Sequence, residues 1–176
     1  MPGSEALAMR SHPRWRVWLA ALAVVASCSV LGRLGDWRDH HLFFVNTTDS
    51  LPNWAFLVDR GRLPAKGDYV FFAPPRTPLL RRHFGARAKP FGKIVYGVAG
   101  DVVAHRGNVV TINGRAVARM KAGTRLGEPL APGATGKIPA GCYFAGTPHR
   151  DGFDSRYAEI GFVCVHQVVG TGVPIL

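Results

Sequence analysis

Cysteine is scarce in this sequence of 176 residues. The three cysteines are Cys28, Cys142 and Cys164, and none stands in the close CxxC pairing that zinc sites show. We therefore expect no metal and no other cofactor. In an oxidising compartment Cys142 and Cys164 could form a disulfide; otherwise they could be two buried thiols that act as small hydrophobes.

Acidic residues are also few, since 11 Asp and Glu face 22 Lys and Arg and leave a formal net charge of +11. Such a charge fits nucleic acid, an anionic membrane surface or an acidic partner. Zinc-finger spacing, a recognition-helix pattern and aromatic ribonucleoprotein motifs are absent from the sequence, so no nucleic-acid partner is expected. Membrane lipids are the expected partner of a basic domain held beside a bilayer.

Long apolar runs are absent except for one, an uncharged stretch over residues 17–32. As a helix it would rise about 24 Å, which is short for a hydrocarbon core of about 30 Å. Trp15, Arg16 and Arg33 flank it and can extend the fit. We favour an uncleaved transmembrane signal anchor, while a cleaved signal peptide and a lipoprotein signal ending at Cys28 are the alternatives.

The arginines ahead of the anchor predict its orientation. Arg10, Arg14 and Arg16 precede it, and the basic residues behind it are offset by acidic ones. The positive-inside rule then places residues 1–16 in the cytoplasm. A single-pass protein of the inner membrane is expected, with a catalytic domain over residues 42–176 that faces the periplasm of a Gram-negative cell.

Helical periodicity is nearly absent after residue 42, where short apolar runs alternate with Gly, Pro and Asn. This pattern predicts a mainly β domain. Asn113-Gly114 predicts a type I′ hairpin turn. Residues 77–89 are the exception and predict a short basic helix or an ordered loop. The predicted strands are residues 55–58, 69–72, 92–98, 102–105, 109–112, 115–117, 141–145 and 161–169.

Ser50 and Lys93 stand in surroundings that suit a serine–lysine pair. A serine hydroxyl needs a base to take its proton, and a lysine can serve only when it is neutral. Among the five lysines, Lys93 alone opens an apolar run, Ile94-Val95-Tyr96, and burial there would lower its pKa. Pro52 fixes a rigid, non-helical turn after Ser50.

The order of motifs along the chain resembles the type I signal peptidase family. Within it, the short chain, the approach Asn46-Thr47-Thr48 and the segment Thr147-Pro148-His149 are most similar to the conjugative-transfer signal peptidases of the TraF type. The motifs that carry the family resemblance are Asn46-Thr47-Thr48-Asp49-Ser50-Leu51-Pro52, Lys66-Gly67-Asp68-Tyr69-Val70-Phe71-Phe72, Gly92-Lys93-Ile94-Val95-Tyr96-Gly97-Val98-Ala99-Gly100-Asp101, Val109-Val110-Thr111-Ile112-Asn113-Gly114 and Phe153-Asp154-Ser155-Arg156-Tyr157.

The resemblance implies a serine endopeptidase with a signal-peptidase-like β domain. Ser50 would be the nucleophile and Lys93 the general base, and the backbone N–H of Ser50 with the hydroxyl of Thr48 would form the oxyanion hole. The remaining implied site residues support the site without reacting, and they are Asp154, Ser155 and Arg156.

The implied substrate is an exported precursor, in this branch a conjugative prepilin whose product some members cyclise. The alternatives are a general leader peptidase and a non-catalytic, membrane-tethered component of a secretion apparatus. Gly152 departs from the family, which often carries there a serine that bonds the lysine. Water, Ser155 or Thr147 would then orient Lys93. A triad of His149, Asp154 and Ser155 is disfavoured, because triads are assembled from distant segments.

Overall fold

The computed structural model describes residues 14–175, so most of the predicted cytoplasmic segment 1–16 lies outside the described residues. The chain divides into two compact units, Met1–Asp39 and His40–Leu176. The described elements are, in chain order, α1 (Arg14–His40), β1 (His41–Val45), β2 (Ala55–Asp59), β3 (Tyr69–Phe72), α2 (Pro78–Phe84), β4 (Phe91–Gly97), β5 (Val102–Arg106), β6 (Val109–Ile112), β7 (Arg115–Arg119), β8 (Gly136–Lys137), β9 (Cys142–Gly146), β10 (Val163–Cys164), a 3₁₀ turn (Val165–Gln167) and β11 (Val168–Pro174).

Helix α1 is longer than the apolar run that predicted it. It has 27 residues, which corresponds to about 40 Å. Among the described residues, Trp15–His40 is the one helix long and apolar enough to cross a membrane, judged by length and composition. The additional residues lengthen the helix, but they include Arg33, Asp36, Arg38 and Asp39, so its uncharged stretch is still residues 17–32 and the short apolar fit expected there is unchanged. Membrane insertion of residues 17–32 stays a prediction.

The second unit is mainly β, as predicted. Its described strands form a seven-stranded sheet in the order β1-β2-β11-β3-β4-β9-β10 and a four-stranded sheet in the order β7-β6-β5-β8. Neighbouring strands are antiparallel throughout. The C-terminal strand β11 lies between β2 and β3, so β2, the strand that follows the Ser50 turn, is paired on both sides, with β1 and with β11.

Strands β10 and β11 show that the large sheet curls. Only the three-residue turn Val165–Gln167 separates them in sequence, yet β3, β4 and β9 stand between them in the sheet. Four strand spacings in a flat sheet would be about 19 Å, more than this connection of about 14 Å can reach. The strand predicted over residues 161–169 is therefore wrong as one element, because the chain leaves one edge here and enters the sheet elsewhere.

Three apolar clusters stabilise the second unit. One packs along β3, β4 and β9, and another joins the small sheet to β9. The third lies beneath the Ser50 turn and contains Leu51, Phe56, Val58 and Phe71. Because Leu51 is buried in that cluster, the residue next to Ser50 is anchored in the protein interior.

Several local predictions are confirmed. Asn113 and Gly114 have φ of 51° and 79°, as a type I′ turn between β6 and β7 requires. The basic segment 77–89 contains a helix, α2, whose first turn is capped by the side chain of Thr77. The pairing of Cys142 and Cys164, which the sequence left open, is decided by the structure: the two residues are opposite each other on β9 and β10 and are joined by a disulfide. Strand β1 was not predicted, although it forms one edge of the large sheet.

Candidate active site

Ser50 lies in the connection between β1 and β2. These strands pair antiparallel up to Val45 and Ala55, and the backbone N–H of Asn46 donates to the carbonyl of Trp54 at 2.7 Å. These bonds hold the two ends of the connection together, and Ser50 within it is half-buried. The strand pair and Leu51 together fix the position of the serine.

The side chain of Asn46 organises the inside of this turn. Its Oδ1 accepts from the N–H and from the hydroxyl of Thr48, each at 3.1 Å. Its Nδ2 donates to the carbonyl oxygens of Leu51 and Asn53 at 3.0 and 3.1 Å. One amide group therefore bonds both arms of the turn that carries Ser50.

The hydroxyls of Thr48 and Ser50 are adjacent, with their oxygens 2.8 Å apart. Within the described part of the chain, the backbone N–H of Ser50 makes no hydrogen bond. An unengaged N–H beside a hydroxyl is the donor pair that a tetrahedral oxyanion needs. The two groups that the resemblance implies for the oxyanion hole are therefore brought together.

Lys93 is on β4, opposite Val70 of β3, and its side chain is only 6% exposed. Burial lowers the pKa of Lys93; Asp154 opposes this shift and Arg156 adds to it. Its Nζ lies 5.8 Å from the ring centroid of Phe91 and makes no hydrogen bond or ion pair with any described residue. A lysine in these surroundings is more easily neutral, and hence able to accept a proton, than a solvated one.

Glycine at position 92 permits the close packing beside Lys93. A Cβ there would lie 2.9 Å from the Phe71 ring and 3.2 Å from Leu51 Cδ1. A larger residue would push away the two side chains that support the Ser50 turn. Gly92 thus lets β4 approach that turn closely.

Asp154 and Arg156 form a buried ion pair behind the site. Arg156 donates through Nε and Nη2 to the two carboxylate oxygens of Asp154, each at 2.8 Å, and neither residue is more than 1% exposed. The same Nη2 donates to the carbonyl of Thr147 at 2.7 Å, and Asp154 accepts from the N–H of Thr147 at 3.0 Å. The pair therefore fixes the backbone at Thr147.

Thr147 connects that pair to the serine. Its hydroxyl donates to the carbonyl oxygen of Ser50 and accepts from the N–H of His149. Thr147 and Ser155 are the two side chains expected to orient Lys93 in place of the family's serine at Gly152. In the described part of the chain neither makes a hydrogen bond with Lys93, and Thr147 contacts Ser50. The Oγ of Ser155 instead accepts from the N–H of Ala145 at 3.0 Å and holds this segment on β9.

A triad of His149, Asp154 and Ser155 is not assembled. Ser155 is 1% exposed and engaged with Ala145, and Asp154 is engaged with Arg156. His149 accepts from the N–H of Asp151 through Nδ1. None of these contacts gives a histidine base beside an accessible serine hydroxyl.

The predicted dyad opens into a cleft of about 1030 Å³. Its lining includes Asn46, Thr48, Ser50, Lys93 and His149. Its size suits an extended peptide segment. Within the described residues no group of three or more His, Cys, Asp and Glu side chains is placed to hold a metal ion.

The chain belongs to the signal peptidase family, peptidase S26, whose family model matches residues 15–176. It is therefore a peptidase by family. A probable conjugal transfer protein TraF from Sinorhizobium fredii (strain NBRC 101917 / NGR234) is 29% identical over 156 residues, which are 82% of each protein. Conjugal transfer protein TraF from Agrobacterium fabrum (strain C58 / ATCC 33970) is 29% identical over 147 residues, 76% of this chain and 80% of that one.

A solved structure is also similar, a signal peptidase I from Enterococcus faecalis V583. It is 25% identical, the match covers 62% of this chain and 97% of that one, and the TM-score is 0.39.

The sequence predicts Ser50, Thr48 and Lys93 as site residues, and the structure places all three at one cleft. No role is predicted for Asn46, although an Asn two residues before a Thr is a signal for a side-chain turn that mimics a backbone turn. The catalytic and supporting roles of the named residues stay predictions.

Proposed function

We propose that this chain is a membrane-anchored serine endopeptidase that cleaves exported precursors through a Ser50–Lys93 dyad. The observation that carries the proposal is the pairing, in one cleft, of a half-buried serine with a buried lysine whose pKa is lowered. A lysine of this kind serves no evident structural purpose, because it has no hydrogen-bond partner among the described residues. Its burial lowers the stability of the fold because the ammonium loses hydration, and a role as catalytic base gives a reason for that loss.

In the proposed mechanism, Ser50 Oγ attacks the scissile carbonyl carbon while its proton passes to Lys93 Nζ. The carbonyl π electrons move to the oxygen, where the Ser50 N–H and the Thr48 hydroxyl stabilise the negative charge. Collapse breaks the C–N bond, and Lys93 returns the proton to the departing amine. Water, deprotonated by Lys93, then attacks the acyl carbon, the C–Oγ ester bond breaks, and Lys93 returns the proton to Ser50 Oγ.

The substrate is proposed to be a precursor of the conjugation apparatus, such as a prepilin. Two relatives that match over about four fifths of their length carry conjugal transfer in their names. A general leader peptidase would instead process most exported proteins of the cell. Loss of this chain should therefore abolish conjugative transfer and leave bulk protein export unchanged.

Location in the inner membrane, with the second unit in the periplasm, is proposed from three observations. Helix α1 is long enough to cross a bilayer, arginines precede its apolar run, and the second unit contains a disulfide. Protease added to spheroplasts should digest the second unit without lysis of the cells. Protection from that protease would contradict this orientation.

The decisive experiment compares the full chain with Ser50→Ala and Lys93→Ala on precursor in detergent. Each variant should lose cleavage by about 10³-fold or more and keep its melting temperature within a few degrees, because the two groups act as a unit. Lys137→Ala, an exposed lysine away from the cleft lining, is the matched control and should remain active. Substantial cleavage by either dyad variant would overturn the proposal.

A companion measurement identifies the substrate. In cells that carry only Ser50→Ala, the uncut precursor should accumulate and can be identified by its intact N-terminus. If none accumulates although the variant is folded and membrane-bound, a non-catalytic role in the secretion apparatus gains support.

A further inference from the structure

We infer that Asn46 is a positioning residue that sets the direction of the Thr48 hydroxyl hydrogen and keeps that hydrogen off the nucleophile. The inference rests on the proposed roles of Ser50 and Thr48. It adds a residue to the machinery of the site, and it predicts a specific dependence between two substitutions.

The orientation of the Asn46 amide is fixed by backbone groups on both sides. The Leu51 and Asn53 carbonyls can only accept, so the atom facing them must be the NH₂ group. The Thr48 N–H can only donate, so the atom facing it must be the amide oxygen. A flipped amide would break all three bonds.

This orientation determines the hydrogens of both hydroxyls. Because Asn46 Oδ1 has no hydrogen, its contact with Thr48 Oγ1 at 3.1 Å requires Thr48 to donate. Thr48 has one hydrogen, so the 2.8 Å contact with Ser50 is made by the Ser50 hydroxyl as donor. The resting site is then a chain that runs from Ser50 to Thr48 to Asn46.

In this series of hydrogen bonds, Thr48 does not donate to Ser50 Oγ, so the lone pairs of Ser50 Oγ remain available for attack. Without the Asn46 oxygen, the Thr48 hydroxyl would donate to Ser50, its nearest remaining acceptor, and a hydrogen bond to the attacking oxygen would weaken its attack. During attack the Ser50 proton moves to Lys93 Nζ, and the Thr48 hydrogen turns from Asn46 to the new oxyanion. Asn46 thus holds the hydrogen until the oxyanion forms.

The test is a double-mutant cycle on the full chain in detergent, with Asn46→Ala, Thr48→Val and the double variant. Thr48→Val should lower kcat about 100-fold, as loss of one oxyanion donor does, with KM changed less than about twofold. Asn46→Ala should lower kcat about 10-fold in the parent and less than about threefold when Val occupies position 48. Thr48→Ser keeps the hydroxyl and should retain most of kcat.

Tyr69→Phe separates positioning from simple support of the turn. The Tyr69 hydroxyl donates to Asn53 Oδ1 at 3.0 Å and so braces the same turn without touching Thr48. Its loss should add independently to Thr48→Val. If Asn46→Ala is equally additive with Thr48→Val, Asn46 only closes the turn and the inference is overturned.

Ser50→Ala distinguishes this failure from a failure of the proposed function. An active Ser50→Ala variant would rule out the proposed dyad. An inactive Ser50→Ala variant together with an additive cycle would rule out only the role of Asn46. If Asn46→Ala shows no melting transition, Asn46→Ser takes its place, because its hydroxyl oxygen can still accept from the Thr48 N–H. The same two outcomes of the cycle then decide.

Discussion

The hydroxyl of Thr147 donates a hydrogen bond to the carbonyl oxygen of Ser50, 97 positions earlier in the chain. Thr147 also fills the space beside Gly152, where an added Cβ would lie 2.1 Å from Thr147 Cγ2 and 2.9 Å from Arg156 Nη2. The serine that many family members carry at this position therefore does not fit here. The space that such a serine would need is filled by Thr147, which bonds the carbonyl oxygen of Ser50.

Gly152→Ser should consequently damage this site instead of restoring the family pattern. The overlap should cost about 1–3 kcal/mol of unfolding free energy and should displace Thr147 from Ser50, so activity falls as well. Adding Thr147→Ser removes Cγ2 and keeps the hydroxyl, so the double variant should recover part of both losses. Denaturant melts and cleavage rates measure this; a Gly152→Ser variant as stable as the parent would contradict the packing.

The pH–rate profile should report the buried lysine. Burial lowers the pKa of Lys93, so the neutral amine appears at lower pH than for a solvated lysine, and kcat/KM should rise with pH through that pKa. Lys93→Arg should be inactive, because a guanidinium stays protonated at any workable pH. The control is His149→Gln in the same cleft, and a shift of the acidic limb in this variant would indicate a histidine base.

The same shift predicts how stability depends on pH. The folded protein binds fewer protons at Lys93 than the unfolded chain does, so the destabilisation is complete below the folded pKa and disappears as pH rises to the unfolded value. Lys93→Met should be at least as stable as the parent at neutral pH, with an advantage that shrinks in alkali. Thermal melts across pH test this, and a markedly less stable Lys93→Met would mean that the charged lysine is held by a partner.

Loss of the buried Asp154 carboxylate should strongly lower the free energy of unfolding. Asp154→Ala leaves the Arg156 guanidinium, itself 1% exposed, without its ion-pair partner. Removing one member of such a pair typically costs about 3–5 kcal/mol. Arg125→Ala is the control, because its ion pair with Asp151 is exposed and should contribute little. Equal effects of the two substitutions on denaturant midpoints would contradict the role of burial.

The sequence by itself was enough for features that depend on neighbours in the chain. The Asn113-Gly114 turn, most strands of the domain and the apolar N-terminal helix follow from local conformational preferences and periodicity. The apolar run after Lys93 correctly predicted burial of that lysine, because alternate residues of a strand facing the core are removed from water together.

Tertiary structure alone decided features that depend on residues far apart. Strand β1 has only a half-buried pattern, and its membership of the sheet comes from pairing with β2. Whether Cys142 and Cys164 pair was open until β9 and β10 placed them opposite each other. The contact between Thr147 and Ser50 and the break at residues 165–167 depend on the curl of the sheet. Register and curvature are set by long-range packing, for which a single sequence carries no local signal.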